Sequence, residues 1–190
     1  VYVHQDIFDE FVDKATKLIE NYKLGDPKDE TTNMGPLAQA KAADYINEQI
    51  KNAVEGGAKV IAGGKSFNQE KGTFFEPTLL IDVKNDMDII QEENFGPILP
   101  IVKVKDENDA IEKINDSQYG LTCAIYTSDF KLAQGFAKKA QTGTVFMNRC
   151  DYLDPALPWT GVKNSGQGFS LSKFAFHNVT RKKSLNFKLS

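Results

Sequence analysis

Cysteine and histidine are scarce in this chain. The two cysteines, Cys123 and Cys150, stand far apart and make no disulfide framework. The two histidines, His4 and His177, are equally scattered, so no zinc-ligand spacing exists and no metal site is expected. No apolar run approaches the ~20 residues that span a bilayer. The start lacks the basic and apolar segment of an export signal. Charge of one sign is also missing. A formal net charge of −3 gives no electrostatic case for nucleic acid or for an anionic membrane. No internal repeat or low-complexity segment is visible. These absences leave a cytoplasmic setting as the default expectation.

What is present describes an ordinary globular protein: 41% hydrophobic and 26% charged residues in a chain of 190. That length allows one sizeable core, with room for a tail. Val1-Tyr2-Val3 reads as the end of a strand instead of a start, and a preceding segment is expected. Asp6 is placed to cap a helix. Phe8, Phe11, Val12, Ala15, Leu18, Ile19 and Tyr22 then recur at helical spacing, and Gly25-Asp26-Pro27 ends the run. Residues 28–33 read as a polar loop. A second helix is expected over 38–55, with Ala42, Tyr45, Ile46, Ile50, Ala53 and Val54 on its apolar face and Gly56-Gly57 closing it. Strands follow at 59–62, at Phe74-Phe75 and at 78–81.

From residue 98 the pattern becomes regular. Strands at 98–104, 122–127 and 144–148 alternate with helices at 107–115 and 129–140. Such alternation with short links implies βαβ crossovers, so the fold class is α/β, a mostly parallel sheet flanked by helices. Ligands of such sheets bind beyond the carboxyl ends of the strands. Asn148 ends a strand, and the loop 149–168 after it carries Tyr152, Trp159, Asp151 and Asp154, which points to a cleft-lining role. The end of the chain, 181–189, sets Leu185, Phe187 and Leu189 at period two, the pattern of a half-buried strand. It either returns to the chain's own sheet or supplies an edge to another subunit.

The chemistry centres on Glu92-Glu93-Asn94-Phe95-Gly96-Pro97. Gly96-Pro97 is a breaker pair, so Glu93 and Phe95 fall in a loop just before a strand. Alone, this is a charged surface turn. Read chemically, a carboxylate accepts both hydroxyls of a cis-diol while a neighbouring ring packs on the same ribose or its base. That pairing suits a nucleotide cofactor.

Glu-Glu-x-Phe-Gly-Pro resembles the cofactor-binding loop of the aldehyde dehydrogenases. Further stretches fall in that family's order: Tyr2-Val3-His4-Gln5-Asp6-Ile7-Phe8-Asp9-Glu10-Phe11, Gly35-Pro36-Leu37, Phe75-Glu76-Pro77-Thr78-Leu79, Asn115-Asp116-Ser117-Gln118-Tyr119-Gly120-Leu121, Thr142-Gly143-Thr144-Val145 and Lys163-Asn164-Ser165-Gly166. The resemblance implies a catalytic domain over 1–178 and an oligomerisation strand over 179–190. It implies that Glu93 holds the nicotinamide ribose of NAD or NADP and that Phe95 packs beside the nicotinamide. Trp159, and Asn148 at its strand end, would face the aldehyde substrate, and a homodimer or homotetramer is expected. In the family the nucleophilic Cys and the general-base Glu precede the point where this chain starts. No catalytic residue is therefore assigned within it, and the chain alone is expected to be inactive. The sequence departs from the commoner family pattern at Asn148-Arg149-Cys150 and at Gln167-Gly168-Phe169-Ser170, which bears on the substrate.

Other readings stand beside these. Cys123 reads as a core cysteine, and Cys150 as a thiol that Arg149 could activate but that no base accompanies. Arg149 is expected to pair with Asp151 or Asp154. Trp159 could be core instead of a substrate wall, and the two histidines read as surface or packing residues. The whole could also be a non-catalytic assembly module, or part of an acyl-phosphate reductase of the same superfamily.

Overall fold

Leu79 and Leu80 are adjacent in sequence, both fully buried, and belong to different hydrophobic clusters. Ile101 and Val102 divide in the same way. Successive strand residues point to opposite faces, so the sheet segment carrying them is covered on both sides. The computed structural model that shows this describes residues 1–70, 72–150 and 152–189. The chain divides into two compact units, Val1–Ala110 and Ile111–Ser190.

The first unit opens with β1 (Tyr2–His4), a 3-10 turn at Gln5–Ile7, and α1 (Phe8–Glu20). Asp6 does not cap α1. It lies inside the 3-10 turn, where the His4 ring accepts its backbone N–H, and Ile7 occupies the cap position without a side-chain bond. Phe8 and Ala15 of α1 are buried, whereas Leu18 and Tyr22 are exposed, because only one stripe of the helix faces the sheet. Next come α2 (Ala42–Glu55), β2 (Lys59–Ala62), β3 (Ser66–Gln69), β4 (Gly72–Phe75), β5 (Thr78–Ile81), α3 (Asp88–Gln91), β6 (Ile98–Pro100) and β7 (Val102–Val104). On α2 the buried residues are Ala43, Ile46, Gln49, Ile50 and Ala53, so Tyr45 and Val54 leave the expected apolar face and stand exposed. Gly57, at φ 105°, supplies the left-handed residue after the helix.

β5 pairs parallel with β6 and antiparallel with β2, and β1 pairs parallel with β7. β3 and β4 form a hairpin that periodicity did not reveal. The run 98–104 is two strands because its halves serve different partners, with Ile101 between them donating its N–H to Leu80. α1 packs with Val3, Leu79 and Ile101, while α2 packs with Phe75, Leu80 and Val102.

α4 (Glu107–Asn115) carries the chain across the boundary between the units. The second unit contains β8 (Tyr119–Gly120), β9 (Thr122–Ile125), α5 (Phe130–Lys139), β10 (Thr144–Met147), β11 (Trp159–Thr160), β12 (Val162–Lys163), β13 (Phe169–Ser170) and α6 (Phe176–Val179). β9 and β10 are parallel with α5 between them, the expected βαβ unit. Asp129 caps α5 by accepting the N–H groups of Lys131 and Leu132. The fold is α/β, with parallel pairs at β1–β7, β5–β6 and β9–β10 and antiparallel pairs around them. The loop 149–168 is partly ordered, since β11 pairs with β13 and β12 with β8. Residues 181–189 form no strand and are exposed, so the tail does not return to its own sheet. Ser190 lies outside the described residues. Among these, no helix is long and apolar enough to cross a membrane.

Candidate functional site

The Glu93 loop is held from both ends. Glu92 donates its N–H to Asp88 at 2.8 Å as α3 ends, and Pro97 accepts the N–H of buried Thr78 at 2.8 Å. Between them the Asn94 carboxamide accepts the Gly96 N–H at 3.1 Å. Gly96 lies against α2 so closely that a Cβ there would come within 2.5 Å of the Ile46 side chain, which is fully buried. Any side chain there would push the buried Ile46 side chain aside, which glycine avoids. The anchoring leaves Glu93 and Phe95 turned outward. Phe95 is 87% exposed, with its backbone at φ 48°, a conformation that costs a bulky residue about 1–3 kcal/mol.

Both residues line a cleft of about 480 Å³ together with Asn94 and, from the segment that enters α2, Leu37, Lys41 and Tyr45. The Glu93 carboxylate is exposed and has no hydrogen-bond or ionic partner among the described residues. An unspent acceptor and an unspent aromatic face on one rim can take a hydroxylated ligand that carries a flat ring. The sequence singled out Glu93 and Phe95. It did not single out Tyr45, whose helical spacing suggested core.

The remaining candidates lie in the second unit. Asn148 follows β10 at φ 54°, and its side chain is engaged on both sides. Its carboxamide donates to the Thr127 carbonyl at 2.8 Å and accepts the Thr127 N–H at 2.9 Å, tying the ends of β9 and β10 together. Trp159 is half-buried in β11, opposite Ser170. Arg149 stacks its guanidinium 3.6 Å from the centre of the Tyr152 ring. That contact takes the place of the expected pairing with Asp154, whose carboxylate accepts the Ala156 N–H. Asp151, the other expected partner, lies outside the described residues.

Cys150 is exposed, and Cys123 is half-buried with its sulfur 3.3 Å from the Thr142 hydroxyl. Burial pushes the Cys123 thiol up, and the bond to Thr142 offsets part of that shift. A core thiol is expected at Cys123 from its sequence, but no residue of β9 is fully buried, and the strand is less enclosed than its apolar composition suggested. Among the described residues no cluster of three or more His, Cys, Asp or Glu could hold a metal ion.

Two further motifs meet each other. Lys163 donates its ammonium to the carbonyls of Asn115 and Ser117 at 2.7 and 2.8 Å. The Asn164 amide reaches Gln118 at 3.0 Å, and Ser165 accepts the Gly120 N–H at 2.9 Å. These bonds clip the loop after β12 to the end of α4. Gly143 sits where any side chain would collide with the Thr160 carbonyl.

Known proteins resemble this chain over nearly its whole length. The sequence model of the aldehyde dehydrogenase family matches residues 1–185. A mitochondrial aldehyde dehydrogenase of Leishmania tarentolae is 37% identical over 187 residues, 98% of this chain and 37% of that protein. A succinate-semialdehyde dehydrogenase [NADP(+)] of Deinococcus radiodurans is 38% identical over 181 residues, 95% of this chain and 38% of that protein. The crystal structure of betaine aldehyde dehydrogenase from Staphylococcus aureus in complex with NAD+ superposes with a TM-score of 0.87 at 34% identity, covering 93% of this chain and 36% of that one. The chain thus spans less than two-fifths of the length of these relatives. With nearly its whole length matched by one family, whose order of motifs it keeps, the chain belongs to the aldehyde dehydrogenase family.

Proposed function

We propose that this chain supplies the cofactor-ribose loop and part of the aldehyde-facing wall of an NAD(P)-dependent aldehyde dehydrogenase, which oxidises an aldehyde to a carboxylic acid through a cysteine thioester. The observation that carries this reading is the Glu93 loop: an unpaired carboxylate and an exposed ring on the rim of one cleft, on a backbone anchored to the core. A nicotinamide dinucleotide supplies the hydride acceptor when bound. Glu93 would hold the two hydroxyls of its nicotinamide ribose, and Phe95 would cover the adjoining ring from one side. Phe95 is suited to that task because its ring is exposed and its strained backbone is fixed by Gly96 and Pro97. Trp159 is proposed as a wall of the aldehyde site. Asn148 would act there chiefly by fixing the strand ends, since its amide is already committed to Thr127.

The nucleophile and base are proposed to come from outside these residues, so that the complete enzyme, cytoplasmic and a homo-oligomer, carries the activity. The test compares this chain alone, the complete protein, and the complete protein with Glu93→Gln. The chain alone should give no nicotinamide reduction with any aldehyde. Glu93→Gln should slow hydride transfer, through loss of a charge-assisted hydrogen bond of about 1.5–3 kcal/mol, at unchanged folding stability. Unaltered kinetics in Glu93→Gln would return that residue to a surface turn. Aldehyde oxidation by the chain alone, abolished by Cys150→Ala, would move the nucleophile to Cys150.

A further inference from the structure

Behind the Glu93 cleft lies a polar group that the family-like motifs do not account for. Gln49, on α2, is 3% exposed in a helix face otherwise made of Ala43, Ile46, Ile50 and Ala53. A buried carboxamide in such company needs partners. Its Nε2 donates to the Tyr45 hydroxyl oxygen at 3.1 Å, while its Oε1 has no partner among the described residues. Tyr45 stands one turn earlier on the same helix, where it lines the cleft and remains 43% exposed.

In this orientation of the carboxamide, Gln49 donates to the phenol oxygen and leaves the phenol proton for another acceptor. Among the described residues that proton meets no acceptor. The cleft then carries an outward donor at Tyr45 and an unpaired acceptor at Glu93. A sugar hydroxyl both donates and accepts, so a donor and an acceptor on one cleft suit a sugar better than either does alone. We infer that the Tyr45 hydroxyl, oriented by buried Gln49, is a second polar anchor of this cleft, donating to a ribose oxygen of the ligand that Glu93 holds. The inference rests on the function proposed above. Tyr45 is a specificity residue in this role and Gln49 a positioning residue.

The experiment measures equilibrium binding of NAD+ and of adenosine monophosphate to the complete protein, with the wild type, Tyr45→Phe and Glu93→Gln compared by calorimetry. Loss of a neutral hydrogen bond predicts an NAD+ Kd weaker by about three- to tenfold in Tyr45→Phe, with adenosine monophosphate binding and the unfolding midpoint unchanged. Weakened NAD+ binding in Glu93→Gln together with wild-type binding in Tyr45→Phe would overturn the Tyr45 role and leave the Glu93 reading standing. Wild-type binding in both variants would overturn the two together. A Tyr45→Phe variant that loses adenosine monophosphate equally, or unfolds at a lower temperature, would show a packing role and also overturn the inference.

Discussion

At the scale of single residues, the two thiols separate by environment. Thiolate is the reactive form, and exposure governs access to it. Cys150 is exposed, while Cys123 is half-buried and its thiol is pushed up. Iodoacetamide at pH 8 should therefore alkylate Cys150 first, as read by peptide mass, and equal rates would contradict the assigned burial. The same shift sets a pH dependence. A thiol whose folded pKa lies above its unfolded value contributes stability that is complete below the unfolded pKa, about 8.5. That contribution is lost as pH rises through the folded value. Urea unfolding at pH 8 and pH 10 should show a smaller alkaline loss of stability in Cys123→Ala than in the wild type. Glu93 and Phe95 were legible in sequence because turn chemistry is local. Tyr45 was not, because a tyrosine at helical spacing reads alike whether it faces a core or a cleft.

At the scale of elements, what could be read depended on who pairs with whom. Lys59–Ala62 and Glu107–Asn115 match their sequence readings residue for residue, since a short β-branched run and a helical period are local signals. The split at Ile101 was hidden because the partners of its two halves, β5 and β1, lie far away in sequence. The two-residue strands β8, β11, β12 and β13 exist only through their partners and carry no period of their own. The clip at Lys163 is the element-scale device most open to test. Its ammonium, half-buried, holds two carbonyls at the end of α4. Lys163→Met keeps the stem and removes the donors, which should cost about 2–3 kcal/mol by chemical denaturation. A loss below about 0.5 kcal/mol, the size of an ordinary surface substitution, would show that the clip adds nothing.

For the whole molecule, the tail is the segment that bears on assembly. Leu185, Phe187 and Leu189 are 67%, 79% and 93% exposed, and nothing among the described residues covers them. Exposed apolar residues at strand spacing on an unpaired backbone are an invitation to a sheet edge. Sedimentation of the chain with and without residues 180–190 should show a dimer or larger species that loses affinity on truncation. A monomer in both forms would remove the tail from any interface.

The two-sided covering of β5 bears on folding fidelity. In a sheet with one wet face, a strand that slips by one residue exposes its leucines and is rejected by solvent. β5 has no wet face here, because Leu79 and Leu80 are both wanted, one on each side. A one-residue slip would put Leu80 in the place of Leu79 and Ile81 in the place of Leu80, and hydrophobicity cannot tell the two arrangements apart. The discrimination falls to Thr78, fully enclosed, whose hydroxyl donates to the Glu76 carbonyl at 2.7 Å and accepts the Gly64 N–H at 2.9 Å. A slipped strand would set a leucine where that hydroxyl belongs and strand the Gly64 amide without a partner. One threonine thus acts as a proofreader, turning two otherwise equivalent alignments into a right one and a wrong one.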